Sequence, residues 1–172
     1  MIRYLQQKDH YSCGPHSIIN AMKWAGHEAT KKNYFKKICK MCECSPKLGG
    51  ASMENLDLAL QHFQKKGMFK VCFRYVSPSI KMIDEQLAKG RAVLLKYRHG
   101  EPKGGGHYTL CVGKTESGRY ILVNDKIGRT TTARTRKKMV KKLRTVENWK
   151  RVSFDLTETY WTTSMIWVLE KV

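Results

Sequence analysis

The chain has 172 residues, of which 41% are hydrophobic and 27% charged, the balance of a water-soluble globular protein. This length suits a single domain, 1–172, with a substantial core. The charge is uneven, because 33 Lys and Arg residues against 14 Asp and Glu residues leave a formal net charge of +19. Such a charge attracts polyanions, so non-specific nucleic acid and acidic protein surfaces are candidate partners.

Targeting and membrane segments are not evident. Residues 1–7 lack the apolar core of a secretory leader. No apolar run approaches the roughly 18 residues that a membrane helix needs, so we expect no membrane insertion. The six cysteines are then expected to be mostly reduced thiols, which favours a cytoplasmic location. The basic charge would also suit packaging inside a virus particle.

The first part of the chain predicts helices. Residues 15–25 have the apolar spacing of a helix that ends at Gly26. The following segment, 31–44, is basic and rich in cysteine, with a short apolar face. Ser52 is a suitable N-cap for a second helix, which ends at Gly67.

The rest of the chain turns to strands. Residues 71–75 alternate like a strand, and Ser79 caps a third helix that ends at Gly90. Four further apolar or alternating runs predict strands at 92–97, 107–112, 120–125 and 164–169. A Gly- and Pro-rich loop, 100–106, separates the first two of these strands, and a hairpin turn at 113–118 joins the second to the third. Helices followed by an antiparallel sheet predict an α+β fold.

Cys13 is the candidate nucleophile. It lies just before Pro15, which suits the first turn of a helix. A thiol at this positive end of a helix dipole is expected to lose its proton easily, and the thiolate is the nucleophilic form. The alternative is that Cys13 is a small core residue at an ordinary helix start.

A cysteine nucleophile needs a base, and the base needs an orienting partner. His107 begins a predicted strand directly after three glycines, and Asp125 ends the neighbouring strand, so the two side chains can meet. Asn124 would point the other way on a regular strand. The alternatives are a histidine at a sheet end and an aspartate in a turn. His16 is a rival base, because it shares a helix face with Cys13.

A glutamine before Cys13 is the candidate oxyanion donor. The side-chain amide of Gln7 could act together with the backbone N–H of Cys13, a type of contribution worth on the order of 3 kcal/mol. Gln6 is an equally polar neighbour, and the spacing alone does not separate the two.

Four stretches together resemble a known family. They are Gln7 followed after five residues by Cys13-Gly14-Pro15, then residues 90–95, 106–113 and 120–125. In this order they are similar to the papain-like cysteine peptidases of the bacteriocin-processing (double-glycine leader) type. The resemblance covers residues 4–128 and implies a papain-like fold with N-terminal helices packed on an antiparallel sheet.

The resemblance also implies roles for individual residues. Gln7, rather than Gln6, forms the oxyanion hole, Cys13 attacks the acyl carbon, His107 is general base and then acid, and Asp125 orients it. Lys126 departs from the proline that is frequent in the family at this position. No transporter segments follow, so we expect a stand-alone member whose substrate need not be a double-glycine leader.

The main hypothesis is therefore a cysteine peptidase, a thiol hydrolase that cleaves peptide or isopeptide bonds of peptide or protein substrates. It forms an acyl-enzyme on Cys13 and uses no cofactor. The alternative is a basic structural protein, associated with a virion or with nucleic acid, that retains a peptidase fold.

Two further segments suggest binding sites. Cys39, Cys42 and Cys44 are a weak candidate for a zinc site, which would need Cys72 or His62 as a fourth ligand; reduced, partly buried thiols are the alternative. Residues 134–144 predict a basic amphipathic helix within the domain. Its cations are candidates for polyanion contact: Arg134, Arg136, Lys137, Lys138, Lys141, Lys142 and Arg144.

Overall fold

A computed structural model describes residues 2–28, 32–76, 78–98, 106–144 and 165–172. The helices there are α1 (Cys13–Trp24), α2 (Lys32–Met41), α3 (Met53–Lys65), α4 (Ile80–Ala88) and α5 (Arg136–Arg144). The strands are β1 (Lys70–Val76), β2 (Ala92–Arg98), β3 (Gly106–Lys114), β4 (Tyr120–Lys126), β5 (Arg129–Arg134) and β6 (Met165–Glu170). The predicted α+β class is confirmed.

All six strands belong to one antiparallel sheet in the order β1-β6-β2-β3-β4-β5. Strands β2 to β5 follow one another along the chain. The last strand, β6, lies between β1 and β2, where five of its six residues are buried. The C-terminal strand is therefore part of the centre of the sheet.

Apolar side chains cover both faces of the sheet, because successive residues of a strand point to opposite sides. One face packs with α1, α2 and α3, and its buried side chains include Leu94, Leu110, Val123 and Trp167. The other face packs with Ile83 of α4 and Met139 of α5 through Val93, Leu95, Leu122 and Ile166. A helix-covered sheet of this kind buries nearly continuous apolar strands.

The predicted helix caps are present. Ser52 Oγ accepts a hydrogen bond from the Asn55 N–H at 3.1 Å, and Ser79 Oγ accepts one from the Met82 N–H at 3.1 Å. Each cap satisfies a backbone donor that has no partner within the helix. The predicted hairpin turn is also confirmed, since the Thr115 N–H donates to the Arg119 carbonyl at 2.8 Å.

Parts of the structure differ from the sequence predictions. Helix α1 begins at Cys13, two residues before the predicted start, so Cys13 itself is helical. Strand β5 was not predicted at all, although its three consecutive threonines follow a turn at Gly128, where φ is +78°. Threonine favours strands and glycine favours such turns, which is the signal that pattern analysis passed over. Most of the predicted loop 100–106 lies outside the described residues.

Within the described ranges, no helix has both the length and the apolar character needed to cross a membrane.

Candidate active site

A tight turn leads the chain into α1. The Asp9 carboxylate accepts hydrogen bonds from the Ser12 N–H at 2.7 Å, the Tyr11 N–H at 3.0 Å and Ser12 Oγ at 2.6 Å. Burial works to raise the pKa of Asp9, but these hydrogen bonds outweigh it and lower the pKa. The carboxylate therefore stays ionised and fixes the segment directly before Cys13.

Cys13 is the first residue of α1, and only 4% of its surface is exposed. Burial raises the pKa of its thiol, although backbone N–H groups of Tyr108 and Gly14 at the sulfur oppose the change. The prediction of an easily lost proton is therefore wrong for this structure, because burial outweighs the helix end. Burial thus favours the neutral thiol of Cys13 over the thiolate.

Gly14 lets the start of α1 approach its neighbours closely. A Cβ atom at this position would lie 3.0 Å from Ala51 Cβ and 3.0 Å from Leu56 Cδ1, and 3.6 Å from Tyr108 Cδ2. Real Cβ atoms rarely come this close to other side chains. The lack of a side chain at Gly14 therefore sets the position of Cys13 against β3.

His107 lies at the start of β3, next to the residue whose N–H reaches the Cys13 sulfur. It pairs with Tyr97 on β2, and the two rings meet edge to face with centroids 5.5 Å apart. His107 Nε2 is 2.8 Å from the Asn124 carbonyl oxygen. A carbonyl only accepts hydrogen bonds, so Nε2 carries the proton, and Nδ1 is the basic nitrogen of the neutral ring.

Asp125 is fully buried at the end of β4. Its carboxylate accepts hydrogen bonds from the Tyr97 hydroxyl at 2.6 Å and from Arg134 Nε at 2.6 Å. Arg134 also forms an ion pair with it through a second nitrogen. Tyr97 therefore links Asp125 to the ring of His107, and the unpredicted strand β5 supplies the balancing charge.

Asn124 is the residue that sequence reasoning set aside. Its φ of +57° lies in the left-handed region, and the β4–β5 register shifts between Val123 and Lys126. This irregularity turns its side chain toward the N-terminal segment, where Oδ1 accepts from the Gln7 N–H at 3.1 Å and Nδ2 donates to the Leu5 carbonyl at 2.7 Å. Asparagine tolerates this backbone region better than most residues, which was the available signal.

Gln7 is held from several directions. Its N–H donates to Asn124, its carbonyl accepts from the Gly128 N–H at 3.1 Å, and its side-chain Nε2 donates to the Asp9 carbonyl at 2.8 Å. Its Oε1 atom is buried without a hydrogen-bond partner among the described residues. Gln7 is buried and Gln6 is half-buried. Contacts thus connect Gln7 through Asn124 to His107, and Tyr97 connects His107 to Asp125. Cys13 lies against the backbone of Tyr108, the residue that follows His107.

Comparison with known proteins bears on this arrangement. The model of the Peptidase_C39 like family matches residues 1–156. The chain belongs to this family. It is therefore a relative of the C39-type cysteine peptidases, as the sequence resemblance implied. No curated protein is significantly similar to it.

His16, the rival base, has a different environment in this C39-like chain. Its Nδ1 lies 2.9 Å from both the carbonyl oxygen and Oγ of Ser12, and its ring packs edge-on against Phe35 with centroids 4.7 Å apart. Burial lowers its pKa, against the opposing effect of Ser12 and Asp9. These contacts give His16 a structural role in holding the turn before Cys13.

The proposed zinc ligands of the C39-like chain are not arranged as a metal site. In the part of the chain that the structure describes, no group of three or more His, Cys, Asp or Glu side chains could hold a metal ion. Cys72, one suggested fourth ligand, instead donates to Glu170 Oε2 at 3.0 Å. The zinc prediction for Cys39, Cys42 and Cys44 therefore finds no support.

Residues 136–144 of the basic segment form helix α5, but the predicted start at 134 is wrong, because Arg134 is the last residue of strand β5. Two cations of the segment have partners within the fold. Arg134 is bound to Asp125, and Arg136 Nη1 lies 2.5 Å from Asp84 Oδ2. Lys137 and Lys138 are exposed. The side chains of the remaining predicted cations lie outside the described part: Lys141, Lys142 and Arg144. Polyanion contact stays a prediction.

Proposed function

We propose that the protein is a cysteine peptidase of papain-like fold, which cleaves peptide or isopeptide bonds through an acyl-enzyme on Cys13. The observation that carries the proposal is the hydrogen bond from His107 Nε2 to the Asn124 carbonyl. It leaves Nδ1 as the proton acceptor, on a residue whose neighbour, Tyr108, donates its N–H to the Cys13 sulfur. Family membership supports the same chemistry.

The first step follows from the protonation states. The Cys13 thiol is neutral at rest, so it must lose its proton as it attacks, and His107 Nδ1 is the group that takes it. The sulfur forms a bond to the substrate carbonyl carbon while the carbonyl π electrons move to oxygen. The Asn124 carbonyl and the Asp125 carboxylate favour the imidazolium that results.

The tetrahedral oxygen needs donors that are in place before the reaction. The backbone N–H of Cys13 is one, and the Gln7 side-chain amide, which has a second N–H besides that bound to Asp9, is the other. The imidazolium then gives its proton to the leaving amine, the C–N bond breaks, and a thioester forms on Cys13. Water, deprotonated by His107, attacks the thioester and releases the acid and the thiol.

Asp125 contributes through the groups that it binds. Arg134 balances its charge through an ion pair. The hydrogen bond that Asp125 accepts from the Tyr97 hydroxyl fixes the Tyr97 ring, which packs against His107. We infer that Asp125 keeps His107 in one orientation by fixing Tyr97 and the end of β4.

Cleavage of a denatured proteome tests the proposal, because such a mixture offers many different peptide bonds at once. We expect new peptide N-termini with the wild type and with a Cys72→Ala control, because Cys72 contacts Glu170 and not the proposed site. Cys13→Ala and His107→Ala should generate none. Cleavage that persists in Cys13→Ala, or its absence in the wild type, would overturn the proposal.

A further inference from the structure

The end of helix α2 brings two cysteines together. The Cys44 N–H donates to the Cys39 carbonyl at 3.1 Å, the Glu43 N–H donates to the Lys40 carbonyl at 3.2 Å, and Glu43 has a φ of +49°. This pair of hydrogen bonds around a left-handed residue is a Schellman motif. The motif typically brings into contact the two side chains at its ends, here those of Cys39 and Cys44.

The two thiols interact directly. The hydrogen bond between them lowers the pKa of Cys39, which accepts it, and raises the pKa of Cys44, which donates it. Cys39 is partly exposed, whereas Cys44 is buried. The accessible sulfur is thus the one that ionises more readily, and its neighbour supplies a second thiol.

Cys13 differs from this pair in both respects. It is buried, and burial raises the pKa of its thiol. Oxidants react with thiolates that they can reach, so the proposed nucleophile is the poorer target of the two. Cys42, which lies between the paired cysteines in sequence, is buried as well, and burial raises its pKa to about 12.

We propose that Cys39 and Cys44 are a redox-active dithiol, which a peroxide converts into an intramolecular disulfide before it oxidises Cys13. The Cys39 thiolate attacks one peroxide oxygen, the O–O bond breaks, and Cys39 becomes a sulfenic acid as hydroxide leaves and is protonated to water. The Cys44 thiol then loses its proton, and its sulfur attacks the Cys39 sulfur to form the S–S bond. The S–O bond of the sulfenic acid breaks, and the hydroxide that leaves takes up that proton, which gives a second water. The dithiol loses two electrons, which the peroxide gains. This inference does not depend on peptidase activity.

Mass spectrometry of the full chain tests the pairing. The protein is treated with equimolar hydrogen peroxide at neutral pH, alkylated and digested. We expect a Cys39–Cys44 disulfide as the first oxidised product. Cys13 and Cys72 should be recovered as alkylated thiols, which shows that peroxide has not oxidised them. First oxidation of Cys13, a Cys13–Cys42 disulfide, or recovery of Cys39 and Cys44 as two alkylated thiols would overturn the proposal.

Variants separate the pair from an accidental product. Cys39→Ser should slow the consumption of the first equivalent of peroxide, and Cys44→Ser should leave Cys39 as a sulfenic acid that dimedone traps. Cys72→Ser is the matched control, because Cys72 is also partly exposed but donates to Glu170; it should oxidise as the wild type does. The second readout is the binding of a trivalent arsenical that is specific for dithiols. We expect it to bind the wild type and Cys72→Ser but not Cys39→Ser. Equal binding by all three proteins would contradict it.

Discussion

His107 Nε2 donates a hydrogen bond to the backbone carbonyl of Asn124 at 2.8 Å. Because the acceptor is a backbone carbonyl, the tautomer of His107 depends on the backbone conformation of Asn124. That conformation is unusual, because φ is +57°, and the Asn124 side chain forms hydrogen bonds with the backbone on both sides of Gln6. One residue therefore connects the proposed base with the segment that carries the proposed oxyanion donor.

Substitution of Asn124 should separate its backbone conformation from its side chain. Asn124→Ala loses two hydrogen bonds, each worth about 1 kcal/mol, and adds about 1–2 kcal/mol of left-handed strain. Asn124→Gly loses the same bonds without the strain. We expect the alanine variant to be the less stable of the two in urea denaturation, with kcat/KM reduced in both. Equal stabilities would show that the left-handed backbone carries no cost there.

Arg134 should matter more for stability than its neighbour Arg136. Asp125 is fully buried, and the Arg134 side chain is only 16% exposed, so Arg134→Gln leaves a buried carboxylate without its cation. Such losses cost about 3–5 kcal/mol. Arg136→Gln is the matched control, because its ion pair with Asp84 is 59% exposed on the arginine side and solvent screens it. Urea denaturation measures both, and similar losses in the two variants would contradict this account.

Gly14→Ala should disturb the position of Cys13. The new methyl group would lie 3.0 Å from both Ala51 Cβ and Leu56 Cδ1. Overpacking of this kind costs about 1–3 kcal/mol, and a shifted thiol lowers kcat more than it raises KM. Gly50→Ala is the control, because a Cβ there meets only the Tyr11 carbonyl oxygen, at 3.5 Å. If the Gly14→Ala variant has the same stability and kcat as the Gly50→Ala variant, the start of α1 does not pack as closely against Ala51 and Leu56 as proposed.

The free energy of unfolding should fall at alkaline pH, because a buried thiol ionises more readily in the unfolded chain than in the folded one. Burial raises the pKa of Cys111 from 9.0 to about 12. Between these values the unfolded chain releases a proton that the folded chain keeps, so stability present below pH 9 is lost as the pH rises toward 12. Each pH unit in this window removes about 1.4 kcal/mol per group.

The alkaline effect can be assigned to one thiol. Cys111→Ala should be less stable than the wild type at pH 7, and the gap should narrow by pH 10, because the variant no longer has this thiol to ionise. Urea denaturation at both pH values measures the gap. A gap that stays constant between pH 7 and pH 10 would mean that Cys111 titrates alike in the folded and unfolded chains.

Regular periodicity was sufficient to predict most of the fold. The caps at Ser52 and Ser79 follow from local hydrogen bonding, and the strands of the sheet centre follow from their continuous apolar residues. Strand β5 was missed because none of its six side chains is buried, which leaves no apolar pattern to detect. The position of β6 between β1 and β2 depends on long-range pairing that no local pattern reveals.

The residues of the candidate site were proposed from the sequence, but their contacts could not be. Gln7, Cys13, His107 and Asp125 stay proposed site residues, and the structure adds the groups that hold them. The part played by Asn124 depends on an irregularity of β4, and the partner of Asp125 comes from the missed strand β5. The protonation of Cys13 depends on burial, which a helix start does not reveal.

The central claim, that His107 deprotonates Cys13, is tested most directly by the rate at which iodoacetamide modifies Cys13 at neutral pH. Peptide mapping by mass spectrometry follows Cys13 separately from the other five cysteines. We expect His107→Ala to lower this rate by about 10²-fold or more, since general base catalysis contributes on that order. Modification of Cys72 should be unchanged. An equal rate for Cys13 in the wild type and the His107→Ala variant, or no modification of Cys13 in the wild type, would contradict the account.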